Sequence, residues 1–267
     1  MAGDIFEIIS ADSVQVYRFM NIGSSKPSQT EMNVVRHHLI DIVNPDYHFT
    51  AGDFCLKASA VSEDISGRGK LPLIVGGTGF YIDSLCYGID EIPDIDQSVT
   101  NAAAFEYDGG GSDLLYDELL KADPEFASKV HKNDRQRIIR GVSVFRGTGR
   151  SISSYFSDRK NNKNFDTLFI GLYIDKEHLL KRIDTRVDLM IKKGLVEEVS
   201  NLRSMGYSSS LNSMQSIGYA EMNRFIDGEI SLETAIDDIK KNTKKYAKKQ
   251  MTWFKKNKSV IWFSPDE

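Results

Sequence analysis

Apolar residues fall into two kinds of pattern along this chain: short unbroken runs and longer stretches with helical spacing. Ile5-Phe6-Glu7-Ile8-Ile9-Ser10-Ala11 reads as a short strand that enters the polar pair Asp12-Ser13. Leu71-Pro72-Leu73-Ile74-Val75 is a continuous apolar run that stops at Gly76-Gly77-Thr78-Gly79, after which 80–87 has helical character. Residues 52–66 predict the helix before that strand, and Leu168 to Ile174 predicts a third buried strand. Beyond it the spacing predicts helices over 176–192, 195–204, 215–227 and 231–256. Strand, glycine turn and helix in succession predict an α/β fold with a parallel sheet flanked by helices. Residues 94–133 differ in texture, with Gly109-Gly110-Gly111 and acidic helical segments just after Pro93. They read as a mainly helical insertion between two parts of one core, 1–93 and 134–267, whose C-terminal part is helical.

Composition narrows the class. A chain of 267 residues, 40% hydrophobic and 27% charged, has enough apolar surface for a core, which excludes disorder as its main state. Cys55 and Cys86 are too few for a disulfide scaffold, and no Cys/His spacing suits structural zinc. No apolar run reaches the roughly 18 residues of a membrane helix. Residues 1–20 lack the form of a signal peptide, so a cytoplasmic setting is expected. Net charge is −4, but residues 240–258 hold nine lysines and no acid, leaving 25 basic against 38 acidic residues elsewhere. That asymmetry points to a local polyanion contact, or to one solvated helix face.

Several residues carry candidate chemistry. Asp12 directly follows a strand, where open parallel sheets place their ligands, and suits general-base or Mg²⁺ chemistry. Asp12 or Ser13 can equally cap a turn. Gly76, Gly77 and Gly79 let backbone approach a ligand closely, Thr78 offers a hydroxyl, and a plain tight turn is the alternative. Gln136, Arg137 and Arg140 share one face of a helix opened by Asn133-Asp134, suited to phosphates and base edges or to surface salt bridges. His37-His38 point in different directions, which suits structural or substrate-positioning work better than a shared metal. Lys240/Lys241, Lys244/Lys245 and Lys248/Lys249 recur every four residues as one basic stripe. Tyr246, Trp253 and Phe254 lie among them, either beside a nucleic-acid backbone or as the apolar face of the helix.

Taken in order, these segments resemble the tRNA dimethylallyltransferase family. The resemblance rests on Ile9-Ser10-Ala11-Asp12-Ser13-Val14-Gln15-Val16-Tyr17, Asn21-Ile22-Gly23-Ser24-Ser25-Lys26-Pro27 and His37-His38-Leu39-Ile40-Asp41. It continues through Gly76-Gly77-Thr78-Gly79-Phe80-Tyr81-Ile82, the segment Asn133 to Arg140, Ile217-Gly218-Tyr219 with Glu221, and Thr243 to Phe254. The resemblance implies a P-loop NTPase-like α/β fold. It also implies transfer of a dimethylallyl group from dimethylallyl diphosphate to the exocyclic N6 amine of the adenosine 3′ of the anticodon, in tRNAs reading codons that start with U. Mg²⁺ is the implied cofactor, the tRNA anticodon stem-loop the implied partner, and a monomer the expected state, with no membrane association. By the same resemblance Asp12 is the base and Thr78 lies near the reacting adenine. Asp12, Ser13, Val14, Gln15, Gln136, Arg137, Ile138, Ile139, Arg140, Lys244, Lys245, Lys248 and Lys249 contact tRNA, and Gly76, Gly77 and Gly79 contact the donor. No residue is implied as a metal ligand.

The sequence departs from the family in three places. Members carry a strand and a Gly-x-x-x-x-Gly-Lys-Ser/Thr loop before the Asp-Ser motif, whereas eleven residues without such a loop precede Asp12 here. From this, weak donor binding and exposed apolar sheet edges are expected, whether the true start lies upstream or the chain is a truncated relative. Thr100 stands where the family tends to have arginine, and Lys244, Lys245 and Lys249 replace common arginines, keeping charge but losing the bidentate fork. Two other readings stay open: a non-catalytic tRNA-binding remnant, and an isopentenyltransferase acting on free adenine nucleotides.

Overall fold

The computed structural model describes residues 2–156 and 165–264. In chain order the elements are α1 (Ala2–Ile5), β1 (Phe6–Ser10), α2 (Gln29–Val34), β2 (His37–His38), α3 (Ala51–Gly67), β3 (Leu71–Val75) and α4 (Gly79–Tyr87). Next come α5 (Gln97–Glu106), α6 (Ser112–Ala122), α7 (Pro124–Ala127) and α8 (Arg135–Thr148). The chain closes with β4 (Phe169–Leu172), α9 (Lys176–Lys192), α10 (Leu195–Ser204), α11 (Tyr219–Ile226), α12 (Leu232–Phe254) and β5 (Val260–Phe263). Side-chain oxygens fix several helix starts: Thr50 and Asp53 close a capping box on α3, and Asp134, Asp175 and Ser231 cap α8, α9 and α12.

The strands are parallel, as the α/β reading expects, but they form two sheets. One has the order β2-β1-β3 and the other pairs β4 with β5. The central strand β1 lies between two partners and carries the fully buried Ile9. Elsewhere apolar side chains stand in solvent: Leu71, Leu73 and Val75 on β3, Ile170 and Leu172 on β4, and Ile261 and Phe263 on β5. Strand β5 has no counterpart in the sequence reading.

Two compact units divide the chain: Met1–Cys86 with Asn164–Glu267, and Tyr87–Lys163. In the first, Ile9, Phe54, Ile65, Leu195, Met214, Tyr219, Met222 and Ile239 belong to one core in which the sheet meets α3 and the C-terminal helices. In the second, Ala103, Leu115, Leu119, Ile138 and Val142 form a separate helical core. The inserted unit is therefore longer at both ends than the 94–133 expected. The reason is that α8 turns its apolar side toward α5 and α6, so the Asn133–Arg140 segment belongs with the insertion rather than with the sheet. No helix among the described residues is long and apolar enough to cross a membrane.

At the amino-terminal half of β1, Glu7 is only 2% exposed and faces two cations and a histidine. Arg68 donates to both of its oxygens, His38 lies 2.8 Å away and Lys70 3.2 Å away. The Arg68 hydrogen bonds, helped by His38 and Lys70, hold the Glu7 carboxyl well below the usual carboxylate range against the opposing effect of burial. A depressed folded value means the stabilisation is complete above the unfolded value of about 4.3, and is lost as pH falls toward the folded value. Glu7→Gln is therefore expected to lower stability at pH 7 by about 2–3 kcal/mol, because a buried carboxylate is removed from its cations. Urea denaturation checks this, and the gap from wild type should narrow below about pH 4.

Candidate functional site

The carboxyl ends of β1 and β3 converge on a polar cluster. Ala11 N–H donates to the Val75 carbonyl and Thr78 N–H to the Ala11 carbonyl, so the two post-strand loops are stitched together. Asp12 Oδ1 accepts from the backbone N–H groups of Val14 (2.8 Å) and Gln15 (3.1 Å). Asp12 thus meets its turn-capping reading. It caps the turn with one oxygen, and Oδ2 has no hydrogen-bond partner among the described residues. Capping fixes the carboxylate plane and leaves an acceptor for a ligand. Ser13 N–H donates to Thr78 Oγ1 at 3.1 Å, and Thr78 donates toward Ser13 Oγ at 3.4 Å. The Tyr246 hydroxyl reaches Thr78 and Gln250, and burial together with the Asp12 charge raises its pKa. Asp12, Ser13, Thr78 and Tyr246 are therefore one group.

The glycine loop is closed by protein rather than left open. A Cβ at Gly76 would lie 2.1 Å from the Ala11 carbonyl oxygen, one at Gly77 1.8 Å from Gln250 Nε2, and one at Gly79 2.4 Å from the Trp253 ring. Gln250 donates to the Gly77 carbonyl (3.0 Å), and Trp253 Nε1 donates to Asp83 (2.9 Å). Ala11, Gln250 and Trp253 thus occupy the space beside Gly76, Gly77 and Gly79, which were expected to face the donor. Their small size serves the approach of β1 and α12, and the space a side chain would take is already filled. Trp253 belongs to this packing face of α12.

Of the Asp12–Gln15 segment expected to contact tRNA, only Asp12 presents a free oxygen. Ser13 is held by Thr78, and Val14 packs against the core. Gln15 is spent internally: its Oε1 accepts from Ser10, and its amide faces the carbonyls of Ser24 and Ser25 at 3.4 Å. The loop it braces contains Phe19 and Ser25, both non-glycine residues with positive φ.

Arg186, on α9, is a site residue the sequence reading missed. Its Nε donates to Ser25 Oγ at 2.8 Å. The protein around it lowers its pKa, and the Asp12 charge pushes the other way, which places the two groups within electrostatic reach. It borders a cavity of about 730 Å³ whose apolar walls include Ile22, Pro27, Met32 and Leu189 and whose cations include Lys26, Arg182 and Lys193. The signal was present in the spacing, because Arg182 and Arg186 lie four apart on an amphipathic helix. His37 and His38 take structural roles, on the Val35 carbonyl and on Glu7.

On α8, Gln136, Arg137 and Arg140 are exposed. Ile138 and Ile139, expected at the tRNA contact, are instead 0% and 6% exposed and belong to the helical core. The lysine stripe on α12 also divides. Lys240 pairs with Asp188 and Lys244 with Asp184, both at 2.6 Å, tying α12 to α9. Lys244, expected at the tRNA contact, is thus ion-paired within the protein, whereas Lys241, Lys245, Lys248 and Lys249 are exposed. Among the described residues no three His, Cys, Asp or Glu side chains converge as metal ligands.

The IPP transferase family model matches residues 15–257. A tRNA dimethylallyltransferase of Caldanaerobacter subterraneus subsp. tengcongensis is 44% identical over 266 residues, covering 98% of this chain and 84% of its own. The crystal structure of a tRNA isopentenylpyrophosphate transferase from Staphylococcus epidermidis aligns with a TM-score of 0.69 at 38% identity, over 97% of this chain and 85% of that one. A eukaryotic dimethylallyltransferase captured acting on tRNA aligns with a TM-score of 0.77 at 29% identity, over 97% of this chain and 67% of that one.

Proposed function

The chain belongs to the IPP transferase family, and from that premise we infer that it is a prenyl-transferring enzyme that moves a dimethylallyl group to tRNA. The donor in this reading is dimethylallyl diphosphate. The acceptor is the exocyclic N6 amine of the adenosine 3′ of the anticodon, in tRNAs reading codons that start with U. The enzyme works as a cytoplasmic monomer. The observation that carries the reading is Asp12, with one oxygen fixed by two backbone N–H groups and the other unpartnered beside Thr78.

An aryl amine is a weak nucleophile until its proton has somewhere to go. As N6 bonds to C1 of the dimethylallyl group, Asp12 Oδ2 takes the N6 proton. The C1–O bond breaks and its electron pair leaves with the diphosphate. Thr78 holds Ser13 and, with it, the turn that aims Asp12. The departing diphosphate is drawn toward Arg186 and the cations Lys26, Arg182 and Lys193 of the adjoining cavity. Mg²⁺, when bound, neutralises charge on the leaving diphosphate. The adenosine leaves its stack to reach this recess.

Incubating the chain with the donor, Mg²⁺ and either an anticodon stem-loop or AMP tests the reading. Prenylated stem-loop and unmodified AMP is the expected result. Product on AMP alone transfers the assignment to the free-nucleotide activity, and tight stem-loop binding without product makes the chain a non-catalytic binder.

The divided lysine stripe adds a second expectation. Replacing Lys245, Lys248 and Lys249 together by Ala should flatten the slope of log affinity for tRNA against log salt by about 2, one released counterion set per lost phosphate contact. Lys244→Ala should leave that slope near wild type and lower thermal stability instead, because Lys244 is committed to Asp184. Filter binding across a salt series, with melting curves, separates the two outcomes.

A further inference from the structure

We propose that Glu198 is a positioning residue that holds Arg186 in place through the loop Asn21–Ser25. The inference deepens the reading above, in which the donor diphosphate lies at Arg186.

Glu198 stands on α10, away from Asp12 in sequence, and its carboxylate is occupied in an unusual way. It accepts from three successive backbone N–H groups: Asn21 at 2.9 Å, Ile22 at 2.8 and 3.0 Å, and Gly23 at 3.2 Å. It also accepts from the Tyr219 hydroxyl at 2.7 Å. The Tyr219 ring lies so close under the loop that a Cβ at Gly23 would fall 2.5 Å from it. The carboxylate thus pins a short run of amides whose dipoles all point at it, an arrangement in which a charged acceptor outperforms a neutral one.

Two residues further on, Ser25 has φ of 48°. A non-glycine residue held there is strained and needs its surroundings to hold it. Ser25 is the residue whose Oγ accepts from Arg186. From the opposite side the Gln15 amide faces the Ser24 and Ser25 carbonyls. Asn21, Ile22 and Ser25 also form one wall of the cavity that Arg186 borders. Glu198 therefore sets the position of the Arg186 acceptor and of that wall, without reaching the reacting atoms.

A double-mutant cycle tests this with inorganic diphosphate in the presence of Mg²⁺ as the probe, read by calorimetry on the full chain. Glu198→Gln keeps the shape but turns an amide N–H₂ toward backbone donors. Expected are roughly tenfold weaker diphosphate binding for Glu198→Gln and for Arg186→Gln, and a double variant within about twofold of the weaker single one, because coupled residues do not add. Ser25→Ala, which removes only the Arg186 acceptor, should show the same non-additivity with Glu198→Gln, and it covers the case in which Glu198→Gln fails to fold. In turnover assays Glu198→Gln should raise KM for the donor while KM for the stem-loop stays within about twofold, whereas a general loss of folded enzyme lowers kcat alone. Additive losses, or unchanged diphosphate affinity in Glu198→Gln and Ser25→Ala, overturn the positioning role while the donor reading stands. Wild-type binding of diphosphate that Arg186→Gln leaves unaltered, or no binding by the wild-type chain, overturns the donor reading and the inference with it.

Discussion

Asp12→Asn is expected to lower the rate of dimethylallyl transfer by about 10²–10⁴-fold, the range for removing a positioned general base. The isosteric change isolates chemistry from folding. An asparagine Oδ1 can still accept from Val14 and Gln15 N–H, so the turn and the loop behind it keep their cap. What is lost is the unpartnered anionic oxygen. Single-turnover kinetics with stem-loop in saturating excess should show the full loss, with stem-loop affinity within about twofold of wild type, since an interaction made only in the transition state affects kcat rather than binding. Asp12→Ala should match the loss in rate and add a stability loss of about 1 kcal/mol from the missing cap. Wild-type rates in Asp12→Asn would remove Asp12 from the chemistry altogether.

Gly76→Ala is expected to have the largest effect on folding of any single methyl group added at the site. The new Cβ would sit 2.1 Å from the Ala11 carbonyl oxygen, 2.4 Å from its carbonyl carbon and 2.8 Å from its Cα. These are backbone atoms at the point where β1 and β3 leave the sheet, so no side-chain rotation relieves the clash. The strand ends must separate, at a cost of about 3 kcal/mol or more, above the usual range for overpacking. Gly77→Ala meets only the flexible end of Gln250, which can swing aside by giving up its bond to the Gly77 carbonyl. Its stability loss should be nearer 1 kcal/mol. Chemical denaturation of the two variants side by side checks the order, and equal losses would contradict it.

The fold was legible wherever an apolar run ended at a chemical signal. β1 and β3 were readable because each is a short apolar run stopped by Asp12-Ser13 or by the glycines, and the helices 176–192 and 195–204 were readable from periodicity with clear caps. β2 is two residues long and carries no pattern of its own. β5 lies five residues beyond α12, behind the turn Asn257-Lys258-Ser259, and its four-residue apolar run passes for a continuation of the lysine-rich stretch rather than for a strand. Asp12 and Thr78 were legible because they are local to the strand ends. Arg186 left only its four-residue spacing from Arg182, and Glu198 left no signal, since from sequence both look like ordinary charges on amphipathic helices whose partners lie far along the chain. The burial of Ile138 and Ile139 was missed for the opposite reason: a contiguous motif was treated as one surface, although the 3.6-residue period of a helix groups these neighbours with Val142 on one inward face.

The bonds from Gln250 to Gly77 and from Trp253 to Asp83 span 173 and 170 residues of chain. During synthesis, then, the loop around Thr78 is made early but acquires its covering helix only after Gln250 and Trp253 have emerged. Contacts of such separation form late, after the entropy of closing a very long loop has been met. A nascent chain released before Trp253 carries the Asp12 and Thr78 segments without the helix that seats them. The seating of the Thr78 loop in this protein therefore waits on the emergence of α12.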